Sequence, residues 1–166
     1  MYTIYLFVVW LHLVAAVVWI GGMVFLALVL VPVTRQPDYQ RLAPSLIHLT
    51  GVRFRWVGWV CLFLLILSGT FNLAYRGFGW TDVWEGGLWQ GRFGQVLAIK
   101  LIVVVLILAL SSFHDFLVGP QATAAGRVAP GSPKALQLRR LASWLGRLNV
   151  VLALATVALG VLLVRG

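Results

Sequence analysis

Four apolar runs limit what this chain can become: residues 3–33, 56–75, 93–118 and 141–164 are almost wholly hydrocarbon in their side chains. At about 1.5 Å of rise per residue, roughly 20 apolar residues are needed to cross a bilayer core of about 30 Å, and each run reaches that length. In lipid, backbone N–H and C=O groups must be bonded within the segment, so such runs are expected as helices. The expected fold class is therefore all-α: an integral membrane four-helix transmembrane bundle, one domain over residues 1–166. Its helices should lie near 3–33, 45–76, 92–118 and 138–164. Only 10% of the residues are charged, too few to cover a water-soluble surface, so the natural partner is the lipid bilayer. The first run is too long for a removed signal segment and has neither a basic start nor a small-residue cleavage site; it reads as a retained helix.

A net charge of +9 would point to nucleic acid in a soluble protein. Position argues otherwise. Nine basic residues (Arg35, Arg41, Arg53, Arg55, Arg127, Lys134, Arg139, Arg140 and Arg147) fall on the side away from the termini, and three (Arg76, Arg92, Arg165) on the terminal side. The positive-inside rule then places the chain in a bacterial-type inner (plasma) membrane with both termini on the outer, periplasmic side. Topology and anionic lipid account for the charge, and no nucleic acid is expected. The single cysteine, Cys61, rules out an internal disulfide or a cysteine-built zinc or iron–sulfur site, and its mid-membrane position reads as packing.

Within the first run, at a period of 3.6, His12, Ala15, Ala16, Trp19, Gly22, Met23 and Leu26 share one stripe. It sets a nitrogen ligand beside a shallow trough of small residues that suits either a flat cofactor or a close-packed helix. In the third run Lys100, Val104, Ile107, Ser111 and His114 fall on one stripe, with the two polar ends roughly 21 Å apart. Measured from the midpoints of the runs, His12 lies roughly 8 Å toward the outside and Lys100 roughly 7 Å on the same side. His114 lies roughly 13 Å toward the inside, and His48 at the inner interface. Equal depth makes His12 with Lys100, and His48 with His114, the possible ligand pairs; it separates His12 from His114.

An ionisable group inside a membrane is a functional candidate because an idle one is costly. The leading expectation is a b-type haem protein with a redox or electron-transfer role and His12 as axial ligand. Lys100 stands opposite it or beside the propionates, His48 and His114 form a second site, and Arg147 pairs with a propionate or with Asp115. The electron donor or a quinone would be its redox partner, and if it is an enzyme, a haem-dependent oxidoreductase is expected. Each residue has a plain alternative. His12 as a neutral, hydrogen-bonded core histidine, Lys100 snorkelling outward, His114 and Asp115 as a helix end, and His48 as an interfacial residue are all consistent with the pattern. Copper is the other candidate, through His12, His48 and His114, although Met1, Met23 and Cys61 are dispersed along the chain.

The connections add three expectations. SLIHLTGVRFRW (45–56) is amphipathic and should lie at the interface before the second helix enters the membrane. RGFGWTDVWEGGLWQG (76–91), with five glycines and three tryptophans, should be a flexible connection forming an aromatic belt or a lid. Residues 119–133 should form a mobile linker. LSGTFNLAY, closing the second helix, is a small and polar patch suited to helix contact and hydrogen bonding. The small-residue faces make a homodimer reasonable.

These residues resemble a known group. LHLVAAVVWIGGMVF resembles the first helix of the CopD (copper resistance D) membrane domain, and LLILSGTFNL resembles its second-helix ending. RFGQVLAIKLIVVVLILAL, with Gly94 and Lys100, resembles its third helix, and RRLASWLGRLNVVLALATVALGVLL its fourth. The same order also resembles the HemJ protoporphyrinogen oxidases, four-helix b-type haem proteins with an early Leu-His, a helix-3 lysine and an Arg-x-x-Asn segment. The resemblance implies a copper transport or resistance role in the first case and porphyrinogen oxidation in the second. The HemJ Arg-x-x-Asn-Glu signature stands here only as Arg147-Leu148-Asn149-Val150, with one residue between arginine and asparagine in place of two and valine in place of the glutamate.

Overall fold

The computed structural model describes residues 2–39, 41–129 and 131–165. Four long apolar helices, α1 (Tyr2–Val33), α2 (Ala43–Tyr75), α3 (Gly91–Val128) and α4 (Pro133–Val164), make up the fold, and no strand occurs among the described residues. The expected all-α membrane bundle is what the chain forms. Consecutive helices run antiparallel, α1 against α2 and α3 against α4, and α1 meets α4 to join the pairs. The α2 helix meets α3 through the Gly119–Val128 end of the latter. One end of the bundle carries the chain termini (the terminal end); the other carries most of the arginines (the basic end).

Helical period decides which side chains face inward. Ala15 and Trp19 of the α1 stripe are buried, and His12, Gly22, Met23 and Leu26 half-buried, while Leu13, Val17, Phe25 and Leu28 between them look outward. On α3 the stripe from Lys100 to His114 likewise turns inward, with Ile107 and Ser111 buried. One apolar core joins Ala15 and Trp19 of α1, Cys61 and Leu62 of α2, Ile107 of α3 and Ala153 of α4, the last fully enclosed at 0% exposure. Large apolar side chains such as Val17, Leu28, Phe63 and Val105 cover the outside, where lipid is the solvent.

The trough on α1 is filled by a helix. A Cβ on Gly22 would collide with the Phe54 ring, and one on Gly58 of α2 would stand 3.5 Å from Trp19 Cδ1. Each helix thus sets an aromatic ring onto a glycine of the other, the small-residue packing expected where lipid gives helices no hydrophobic drive to associate. Gly22→Leu is expected to overpack this contact and cost about 1–3 kcal/mol. Phe54→Ala in the same chain should recover most of the loss, because the obstacle is a side chain; thermal unfolding in detergent, with no recovery in the double variant, would refute the pairing.

Three expectations about the connections meet the structure, and two of them, the first and the third, are corrected. The third helix does not stop at 118: it continues through Pro120 to Val128 in place of a mobile linker. A π-helical turn, His114–Val118, immediately precedes, and a second one, Leu26–Leu30, precedes Pro32 in α1. Proline has no N–H for the carbonyl four residues back and its ring presses on that carbonyl. A π turn widens the ladder just before it, so the helix passes through the proline unbroken. Second, the amphipathic stretch from Ser45 is the start of the second helix, as the expected bounds 45–76 have it, and α2 begins two residues earlier at Ala43. Third, the connection 76–91 is folded. A short helix, Trp80–Trp84, is held by the Asp82 carboxylate accepting the Gly79 N–H at 2.6 Å, and a 3₁₀ turn, Gly87–Trp89, follows. Gly86 (φ 86°) and Gly91 (φ 68°) bracket that turn in the left-handed region, where a side chain would strain the backbone. Trp89 donates its Nε1–H to the Val83 carbonyl at 2.9 Å, and Leu88 is buried to 1% exposure.

Candidate functional site

His12 is engaged through Nδ1 by a short polar relay. Its Nδ1 lies 2.7 Å from Ser68 Oγ, and the Ser68 hydroxyl donates to the Leu64 carbonyl one turn earlier in α2. A hydroxyl has one proton to give. With that proton on Leu64, Ser68 accepts, so His12 Nδ1 is the N–H and Nε2 carries the lone pair. Metal-binding histidines are oriented in this way, with one ring nitrogen donating to a fixed acceptor and the other left to coordinate. The ring lies beside Gly69 of α2, where a Cβ would stand at ordinary contact distance, 3.7 Å, from His12 Cε1.

Lys100 faces the bundle as well. Its Nζ lies against α4, 3.6 Å from where a Cβ on Gly160 would stand, and it is within electrostatic reach of His12. The terminal half of the bundle therefore brings together the two residues paired by depth. The trough beside His12 toward α2 is closed by Phe54, Trp19, Ser68 and Gly69, so no flat cofactor fits between these two helices.

The basic half is different in character. A cavity of about 610 Å³ opens among the four helices, walled by Trp19, Met23, Leu26, Phe54 and Leu62 on its apolar side. His114 lines it; His48 is half-buried nearby in α2 and is not among its lining residues. Asp115 accepts from Trp59 Nε1 at 3.1 Å and lies 2.9 Å from His114 Nδ1. Arg147, expected to pair with Asp115 or a propionate, instead sets its guanidinium over the Trp144 ring at 5.7 Å. Asn149, buried in α4, donates to Ser111 Oγ at 2.7 Å, and its Oδ1 has no partner. No group of three His, Cys, Asp or Glu side chains forms a metal cluster among the described residues.

Sequence reasoning found His12, Lys100 and His114 but did not name Ser68 or Trp59. Ser68 had a signal in the polar patch LSGT; Trp59 had none, because its partner is 56 residues away.

Fold and site together define a four-helix integral membrane protein with a pre-set imidazole in its terminal half and a basic cavity in the other. A model of the family described as CopD, Copper resistance protein D, matches residues 49–163, and the chain belongs to that family. The match takes in most of α2 and nearly all of α3 and α4, including Ser68 and Lys100; His12 lies before it. An uncharacterized protein of Aquifex aeolicus (strain VF5) is 34% identical over 152 residues, covering 91% of this chain and 89% of the relative. No solved structure matches the chain.

Proposed function

We propose that the chain is a copper-handling membrane protein of the CopD type, with copper as cargo and His12 as the nitrogen that receives it. The observation that supports this most directly is the His12–Ser68–Leu64 relay, which leaves Nε2 open inside the membrane. Imidazole suits copper, and softer donors follow in the same core: Cys61 lies two turns along α2 from Ser68, roughly 10 Å toward the basic end, and Met23 packs against the core cluster that contains Cys61. A single nitrogen with no carboxylate beside it, and with a lysine in reach, binds a cation weakly. That suits passage better than storage. The basic end faces the cytoplasm on the positive-inside rule.

Lys100→Leu is expected to tighten copper binding by removing a repelling charge; weaker binding in this variant would make Lys100 a ligand instead. The alternative reading is a b-type haem protein, for which the open Nε2 would be an axial ligand. Copper(I) titration and the visible spectrum of the purified protein separate the two. Saturable copper binding with no Soret band is the expected result, and a Soret band that disappears in His12→Ala would overturn the copper reading.

A further inference from the structure

The cavity in the basic half is unusual in its charge. Arg35, Arg55, Arg139, Arg140 and Arg147 all line it, against one carboxylate, Asp115. That carboxylate is already engaged by Trp59 and His114, and the only ion pair among the described residues is His114–Asp115. The five guanidiniums therefore have no acidic partner there. Arg55 carries the argument further. Its guanidinium packs on the Phe116 ring at 5.8 Å, and its Nε is buried with no hydrogen-bond partner. A buried donor on a cation is costly to leave unbonded. The rest of the wall, from Trp19 through Met23 to Leu62, is hydrocarbon.

We infer that this cavity binds an amphiphile carrying one anionic head, a carboxylate or phosphate, on an apolar body. The head sits among Arg139, Arg140 and Arg35 and takes the Arg55 donor; the body lies along Trp19, Met23 and Leu62. Arginine's planar fork suits either head. The volume is that of a small-molecule site, and an inorganic anion alone would leave the apolar wall uncovered. The inference stands apart from the copper reading, because none of these arginines touches His12 or Ser68.

The test is titration of the full chain in phosphatidylcholine nanodiscs with four probes: oleate, 1-oleoyl lysophosphatidate, 1-oleoyl lysophosphatidylcholine and inorganic phosphate. Saturable one-to-one binding of oleate, lysophosphatidate or both is expected, and which of them binds identifies the source as free acid or lipid phosphate. Lysophosphatidylcholine and inorganic phosphate should each bind roughly tenfold more weakly or worse. Arg55→Gln should lower the affinity for the anionic probe roughly tenfold. The exposed pair Arg139→Gln/Arg140→Gln should do the same, and carries the test if the Arg55 variant fails to fold. Gly146→Leu fills the cavity from a position where a Cβ meets nothing within 4 Å, and should abolish binding while leaving thermal stability unchanged. Equal affinity for lysophosphatidylcholine or for inorganic phosphate, or affinities unmoved by the arginine and Gly146 variants, would overturn the proposal.

Discussion

His12→Ala is expected to abolish copper binding in the terminal half of the bundle, while Ser68→Ala keeps the metal with affinity lowered roughly 10–100-fold. The contrast follows from the relay. Alanine at 12 removes the only imidazole there, and no carboxylate is present to replace it. Alanine at 68 leaves the ring but removes the acceptor that fixes Nδ1–H, so the ring can turn and exchange tautomers, and the open lone pair is no longer guaranteed at Nε2. His12→Ala loses one hydrogen bond and Ser68→Ala two, each worth about 1 kcal/mol, so both should fold and melt within several degrees of the parent chain. Equilibrium titration with copper(I), read beside the melting temperature, distinguishes ligand loss from unfolding. Unchanged copper affinity in a folded His12→Ala chain would remove His12 from the site. Equal losses in the two variants would mean that Ser68 is itself a ligand.

The parts of this arrangement that obey one helical period were legible in the chain. The α1 stripe from His12 to Leu26 and the α3 stripe from Lys100 to His114 face inward as their spacing required, and depth alone paired His12 with Lys100. What one helix cannot announce is what a second one places on it. The trough beside His12 was open to a cofactor or a helix, and Phe54, 32 residues beyond Gly22, fills it. The basic cavity was hidden for the same reason: its arginines were read one at a time as topology signals, and only four-helix packing brings five of them around one space. The length of α3 escaped for a local reason. Pro120 is a stop signal by its chemistry, and the compensating π turn, His114–Val118, has no distinct residue signature.

Gly94→Ala is expected to be the most damaging single methyl in the protein. Gly94 sits in the first turn of α3, where the 3₁₀ turn Gly87–Trp89 folds back over it; a Cβ there would run into the Leu88 carbonyl and the Trp89 backbone. At Gly22 a ring can rotate away. Here the obstacle is main chain, held by the Trp89–Val83 hydrogen bond, by the buried Leu88 and by the stacking of Phe78 on Phe93 at 5.5 Å. Relief requires lifting the whole turn, exposing Leu88 and breaking that bond. The cost should reach about 3 kcal/mol, the upper range for overpacking. A thermal melt in detergent should show it, together with new protease cleavage between Gly77 and Gly91, sites the folded connection protects. No side-chain truncation at Leu88 or Trp89 should restore stability, unlike Phe54→Ala for Gly22→Leu, because neither removes the backbone. An alanine variant that melts with the parent chain would show that the turn does not rest on α3, and that the connection is the loose loop its five glycines imply.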